Sequence, residues 1–206
     1  MPRIDIPRKS IYRLSIYQRC LQRLRENGVE TVSSEALAKA AGVKSTQLRK
    51  DLTYFGQFGT RGLGYNVEAL STTIGEVLGQ NKLQPVVLVG VGNLGSALLR
   101  YGGFRKEGFE VVAAFDAAPE GRRRDGGPTP VLAMAKLEPF VRENDVKMAI
   151  LTVPAPAAQE VANALIHAGV QAILNFSPTI IDVPDQVVVN SVDLAVELEN
   201  LSYFIR

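Results

Sequence analysis

Val86-Val87-Leu88-Val89-Gly90-Val91-Gly92-Asn93-Leu94-Gly95-Ser96-Ala97-Leu98-Leu99 is the stretch whose reading decides the fold. Its first four residues are β-branched or aliphatic and read as a buried parallel strand. Gly90-Val91-Gly92-Asn93-Leu94-Gly95 then fits G-x-G-x-x-G, and an Ala/Leu-rich helical pattern follows. In such a turn the first glycine makes the tight bend, the second admits a pyrophosphate, and the third lets helix and strand close up. The free amides at the helix N-terminus face the phosphates, where the helix dipole favours negative charge.

A glycine pattern alone also occurs in ordinary turns, so its context has to repeat the test. A second apolar run, Val111-Val112-Ala113-Ala114-Phe115, ends in Asp116, 21 positions after Gly95. A dinucleotide fold places the carboxylate for the ribose hydroxyls near that point. Strand, glycine turn, helix, strand and acid together predict a dinucleotide site.

The chain has 206 residues, 46% of them hydrophobic and 21% charged, which predicts a globular protein of two small domains. No run of 18 apolar residues is present, and Arg3, Asp5, Arg8 and Lys9 interrupt any secretory apolar segment. A cytoplasmic protein with no membrane contact is expected. Cys20 is the only cysteine, which excludes an intramolecular disulfide and a cysteine-rich metal site; no metal is expected. The net charge of +2 conceals an asymmetry. Residues 1–80 hold 12 Lys/Arg against 7 Asp/Glu, whereas residues 81–206 hold 11 against 14. Only the first part is then suited to meet a polyanion.

In residues 1–80, Ile11, Leu14, Tyr17, Leu21 and Leu24 recur at steps of 3 and 4, predicting one amphipathic helix over 10–27 with Gly28 as its stop. A short helix over 34–41 carries Leu37 and Ala38 inward and ends at Gly42. Ser45 is the expected N-cap of a third helix that runs through Leu48 and Leu52 toward Phe55. Two short helices joined by a glycine turn make a helix-turn-helix. Burying Leu48 and Leu52 leaves Ser45, Thr46, Gln47, Arg49, Lys50 and Thr53 for an outer face that can reach base edges and phosphates. Most such faces are merely solvated. The stretch Phe55-Gly56-Gln57-Phe58-Gly59-Thr60-Arg61-Gly62-Leu63-Gly64-Tyr65 favours DNA, because it reads as a β-hairpin wing with Arg61 available for a minor groove.

In residues 81–190 the alternation continues. Gly121-Arg122-Arg123-Arg124-Asp125-Gly126-Gly127-Pro128 is a loop by composition. A helix is expected over 137–143, a strand over 148–153, a helix over 156–168 and a strand over 172–175. This is a doubly wound parallel sheet of α/β class, which takes ligands at the carboxyl ends of its strands. Thr152, Val153 and Pro154, with Asn175, Phe176 and Ser177, are therefore candidates for the nicotinamide pocket; the alternative is that they are plain strand exits. A last helix in residues 191–206, from Asp193 to Tyr203, is apolar over so wide an arc that more than one surface must bury it.

Read together, these segments resemble the Rex family of redox-sensing transcriptional repressors from about Pro7 to Phe204. The resemblance is carried by Arg49-Lys50-Asp51-Leu52-Thr53-Tyr54-Phe55-Gly56, the wing from Gly59 to Tyr65, the Gly90–Gly95 turn, Leu151-Thr152-Val153-Pro154 and Asn175-Phe176-Ser177-Pro178. It implies a winged helix joined to a Rossmann-like sheet, and a homodimer that binds palindromic operator DNA and is released by NADH. By resemblance, Gln47, Arg49 and Lys50 lie on the DNA face with Arg61 in the wing, and Gly90, Gly92, Gly95 and Asp116 hold the dinucleotide. Arg19, Tyr101 and Asp193 match positions that couple cofactor to domain angle. The resemblance also implies that the last helix is swapped across the dimer; docking on its own sheet is the alternative.

Three features depart from the family pattern. Ala118 stands where relatives often carry a second acid, and Leu194 where an aromatic near the nicotinamide is common. Arg122–Arg124 lies where NADP-binding folds place arginine, although Asp116 repels a 2′-phosphate; NAD(H) is expected, with NADP(H) as the alternative. No paired carboxylates or nucleophile elbow appear, His167 is the sole histidine, and about 16 residues beyond the sheet are too few for a substrate domain, so no enzyme is expected. The rival reading is a nucleotide- or CoA-binding enzyme domain, since Thr152–Pro178 also resembles the CoA-binding half of acyl-CoA synthetases.

Overall fold

The computed structural model describes residues 6–56, 58–59, 63–121 and 128–205. The chain divides into two compact units that meet between Lys82 and Leu83, two residues beyond the boundary expected from the sequence.

In the first unit α1 (Arg8–Glu26) buries Leu14, Tyr17 and Leu21 completely, as its 3-and-4 spacing dictates. β1 (Thr31–Val32) leads into α2 (Ser34–Ala40), capped by the Ser33 hydroxyl accepting the Ala36 N–H at 3.0 Å. Gly42 turns the chain with φ +68°, a conformation a side chain resists, and the Val43 N–H closes back on the Ala38 carbonyl at 2.9 Å. α3 (Ser45–Thr53) follows and buries Leu48 and Leu52 against α1 and α2. The N-cap of α3 is Lys44, not Ser45, and no side chain caps it; Ser45 is the first helical residue.

β2 (Tyr65–Asn66) pairs antiparallel with β1, Val32 opposite Tyr65, so the return strand finds its partner ahead of the helix-turn-helix. Backbone at Gly64 lies so close to Val32 that a β-carbon there would collide with its carbonyl. Gln57, Thr60, Gly62 and Arg61 lie outside the described residues, so the Arg61 expectation rests on sequence. α4 (Val67–Val77), for which the sequence raised no expectation, is capped by Asn66 and packs Val67, Leu70 and Ile74 against α1.

The second unit holds β3 (Gln84–Val89), α5 (Asn93–Arg100), the short α6 (Gly103–Lys106), β4 (Phe109–Asp116), β5 (Val131–Ala133) and α7 (Leu137–Glu143). β6 (Met148–Leu151), α8 (Ala155–Ala168), β7 (Ala172–Asn175), β8 (Val188–Ser191) and α9 (Leu194–Tyr203) complete it. Its sheet has the order β5-β4-β3-β6-β7-β8, and every pairing is parallel. Strand order reverses between β3 and β6, which opens a crevice at their carboxyl ends. Val87, Val89, Phe115, Leu151 and Leu165 lie in the main core. Burying each large aliphatic or aromatic group there contributes about 1.5–3 kcal/mol. β6 ends at Leu151, which leaves Thr152 and Val153 in the exit loop rather than in the strand. Among the described residues, no helix is long and apolar enough to cross a membrane.

Candidate functional site

At the end of β3 the three glycines have three different surroundings. Gly90 has φ +97°, and a β-carbon on it would stand 2.8 Å from the Thr152 carbonyl group. Gly95 is closer still: a β-carbon there would overlap the Gly90 carbonyl oxygen. Around Gly92, by contrast, nothing lies within 4 Å of that position. Two glycines are thus demanded by the fold, and one leaves open space. Gly92 is also the N-cap of α5, with no side-chain cap and no acid in the first turn, so the amides at this helix terminus are left without a side-chain partner from their own turn.

Asp116, at the end of β4, is 8% exposed and orients the turn. Its carboxylate accepts the Val91 N–H at 2.7 Å and the Ala118 N–H at 2.9 Å. Across the switch point, the Thr152 hydroxyl donates to the Gly90 carbonyl at 2.6 Å and lies 3.1 Å from that of Val89. The Ser177 hydroxyl donates to the Val153 carbonyl at 2.6 Å, and Asn175 accepts the Ser177 N–H while donating to the Thr179 carbonyl, each at 2.9 Å. Side-chain bonds therefore tie the exits of β3, β6 and β7 together.

These exits enclose a cleft of about 520 Å³. Gly90, Gly92, Asp116, Thr152, Val153, Pro154 and Phe176 line it. Val91, Asn93, Leu94, Gly95, Asn175 and Ser177 are not part of the lining. Val91 is buried behind the turn, Asn93 and Leu94 are exposed on α5, and Asn175 and Ser177 are buried scaffolding. Met134, Ala157 and Val161 complete an apolar wall that the sequence did not single out, because they arrive from the β5 exit and α8. Glycine turn, open helix terminus, acid and apolar wall fit a dinucleotide.

In the first unit the outer face of α3 exposes Thr46, Arg49, Lys50 and Thr53. Arg49 lies across the start of α2, donating to Ser34 at 2.9 Å and meeting Glu35 at 3.4 Å. Both contacts are exposed, so an Arg49 that reaches for a phosphate gives up little. Gln47 is half-buried and donates to Asp51 Oδ1 at 3.0 Å.

Asp51 is the functional-site neighbour that sequence reasoning missed. Its side chain is 1% exposed and accepts from Arg13 Nε at 2.5 Å and Nη2 at 2.7 Å, from Tyr17 Oη at 2.8 Å, and from Gln47. Burial pushes this carboxyl up, but the bonds from Arg13, Tyr17 and Gln47 outweigh it and hold it below the ordinary range. Burial and the Asp51 charge push the Tyr17 phenol well above its usual value. Arg13 and Tyr17 lie one helical turn apart on α1, the only sequence signal that they share a partner.

Among the residues expected to act as a switch, Arg19 is exposed on α1 in the first unit. Tyr101 is exposed just after α5, edge-on to Phe104 at 5.1 Å between centroids. Asp193 caps α9 by accepting the Ala195 N–H at 2.9 Å, and Leu194 begins that helix, exposed. Every large apolar side chain of α9 is exposed, Leu198 to 66%. His167 lies exposed in the last turn of α8, 3.6 Å from Glu138. Arg122–Arg124 lie outside the described residues. Among the described residues no group of acids, histidine and cysteine could hold a metal.

Fold and site define a two-unit protein in which a helix-turn-helix precedes a Rossmann-type sheet of the dinucleotide-binding kind. The redox-sensing transcriptional repressor Rex of Carboxydothermus hydrogenoformans is 50% identical over 206 residues, covering 100% of this chain and 99% of that one. That of Syntrophobacter fumaroxidans is 48% identical over 200 residues, 96% of this chain and 95% of the relative. The chain belongs to the Rex family of redox-sensing transcriptional repressors. Among solved structures, RSP in complex with β-NAD⁺ and operator DNA matches with TM-score 0.91 and 36% identity, covering 98% of this chain and 94% of that one. RSP in complex with β-NADH matches at 0.86 and 34%, covering 98% and 95%. The family model "Putative DNA-binding protein N-terminus" matches residues 5–53, and "CoA binding domain" matches residues 81–179.

Proposed function

We propose that this chain is a cytoplasmic repressor that binds a palindromic DNA operator as a homodimer and leaves it when NADH fills the cleft at the β3–β6 switch point. The observation that carries this reading is full-length similarity to RSP, which has been crystallised both with β-NAD⁺ and operator DNA and with β-NADH. Thr46, Gln47, Arg49 and Lys50 of α3, with Ser45 at its start and Arg61 in the wing, meet the duplex. The amides after Gly90 and Gly92 take the pyrophosphate, Asp116 the adenosine ribose, and Thr152, Val153, Pro154 and Phe176 the nicotinamide end.

Two recognition helices enter successive major grooves only when they stand about 34 Å apart. NADH therefore stabilises a dimer geometry in which that spacing is lost. A ligand that binds both geometries equally shifts nothing, so the reduced ring must gain contacts that the oxidised ring lacks. NAD⁺ carries a ring charge that NADH does not, and an apolar wall such as Met134, Val153 and Val161 disfavours the charged form by desolvation. A tenfold change in operator affinity requires about 1.4 kcal/mol of such coupling. The exposed apolar α9 supplies a surface for the second subunit, and Arg19, Tyr101, Asp193 and Leu194 serve the coupling.

A gel-shift titration on a palindromic operator with NADH, NAD⁺, NADPH and no ligand tests the reading. Release by NADH at concentrations where NAD⁺ permits binding is expected. Operator binding that saturating NADH leaves untouched overturns it. The match of residues 81–179 to a CoA-binding model favours a second reading, a CoA site on the same sheet, and CoA binding without operator binding would support that instead.

A further inference from the structure

We propose that Asp51 is a positioning residue for base readout: it fixes which arm of the Gln47 amide faces the duplex, leaving the Gln47 carbonyl oxygen outward as an acceptor. This rests on the reading of α3 as the DNA-contacting helix.

An amide side chain has a donating arm and an accepting arm of nearly the same shape, and its orientation follows from its partners. Asp51 settles the matter chemically. Its carboxyl is held ionised by the paired Arg13 guanidinium and by the Tyr17 hydroxyl, and an ionised carboxylate only accepts. Gln47 Nε2 therefore faces Asp51 Oδ1, at 3.0 Å, and the Oε1 arm cannot take that place. Gln47 Oε1 accepts no hydrogen bond from the described residues, yet it is not a buried unsatisfied atom, so it reaches solvent. Gln47 lies one turn before Asp51 on α3, between the exposed Thr46 and the exposed Lys50 in sequence.

The consequence is a filter on bases. In the major groove an outward acceptor pairs with the amino group of adenine or cytosine, whereas guanine offers two acceptors, N7 and O6. Gln47 in this orientation disfavours guanine at the base it meets. An asparagine at position 51 can donate to Gln47 Oε1, which lets the amide turn over and present its donors outward. Guanine then becomes acceptable at that base.

The experiment is selection from a pool of duplexes with randomised operator half-sites, read by sequencing, with the full-length native protein, Gln47→Ala and Asp51→Asn. The native protein should disfavour guanine at one half-site position by on the order of tenfold, as a good base contact does. Gln47→Ala should erase the preference at that position alone, and Asp51→Asn should shift it toward guanine there while other positions keep theirs. A profile for Asp51→Asn identical to that of the native protein at the position set by Gln47 overturns the proposal, as does a loss of preference at every position equally. If the native protein selects no sequence, the DNA reading of α3 fails as well, and the two failures are distinguished.

Because Asp51 is buried, Asp51→Asn can fail to fold, and a second measurement on the native protein stands beside it. In the operator complex, the side-chain amide protons of Gln47, assigned by their loss in Gln47→Ala, should show one proton protected from exchange by Asp51. Two freely exchanging protons in that complex overturn the proposal.

Discussion

The Asp116 carboxylate accepts the backbone N–H of Val91 at 2.7 Å, so the acid at the end of β4 holds the first turn after β3 in place. Asp116 thus shapes the glycine turn from the neighbouring strand. Replacing it with Ala leaves the Val91 and Ala118 amides without this acceptor, which costs about 1–3 kcal/mol in a buried setting. Asp116→Ala should weaken dinucleotide binding, measured by calorimetric titration, and leave operator affinity of the ligand-free protein unchanged. Equal loss of both would sink the assignment.

Gly92 and Gly95 should separate fold from ligand. An Ala at 95 would overlap the Gly90 carbonyl oxygen, and backbone cannot yield as a side-chain tip can. Gly95→Ala should cost about 3 kcal/mol, read as a lowered denaturation midpoint. Gly92→Ala faces open space and should change stability by less than about 0.5 kcal/mol. It should nonetheless lower dinucleotide affinity, because the methyl enters the space the pyrophosphate takes.

The first unit should be sensitive to acid through Asp51. This carboxyl is depressed below its ordinary value of 3.8, so the stability it contributes is present above that pH and is lost as pH falls through the lower folded value. Unfolding of the helix-turn-helix, followed by circular dichroism, should therefore begin below about pH 4. Asp51→Ala strands Arg13 and should cost about 3–5 kcal/mol at neutral pH.

α9 offers a test of assembly. Leu198 and Leu201 are both exposed on it, and a charge at either cannot be buried against a second subunit without loss. The double change Leu198→Glu with Leu201→Glu should give a monomer by sedimentation and abolish cooperative operator binding. A dimer that survives both changes would remove α9 from the interface.

Arg61→Ala should lower operator affinity and reduce the slope of its salt dependence by about one unit if Arg61 neutralises a phosphate. Unchanged affinity and slope would remove the wing from the DNA interface.

The local signals were legible in the amino-acid order. The apolar run, glycine turn and Asp116 predicted β3, α5 and β4, because a strand and the turn that ends it are specified by neighbours. The periods in α1, α2 and α3 likewise set helices and buried faces to within a few residues. The pairing of two short strands, β1 and β2, was not legible: Val32 and Tyr65 are far apart in sequence, and two-residue strands have no period to read. The same limit hid Asp51, whose partner Arg13 is 38 residues away, and the apolar wall from Met134, Ala157 and Val161.

By itself the sequence determined the helices of the helix-turn-helix, the strands and helix around the glycine turn, and which family the chain resembles, since periodicity, caps and glycine spacing act over a few residues. Only the tertiary structure decided that Asn175 and Ser177 brace the cleft instead of lining it, that Asp116 is bonded into the turn, and that Gln47 is held by Asp51. Those outcomes depend on which groups the folded chain brings within about 3 Å of each other, the range over which a hydrogen bond acts.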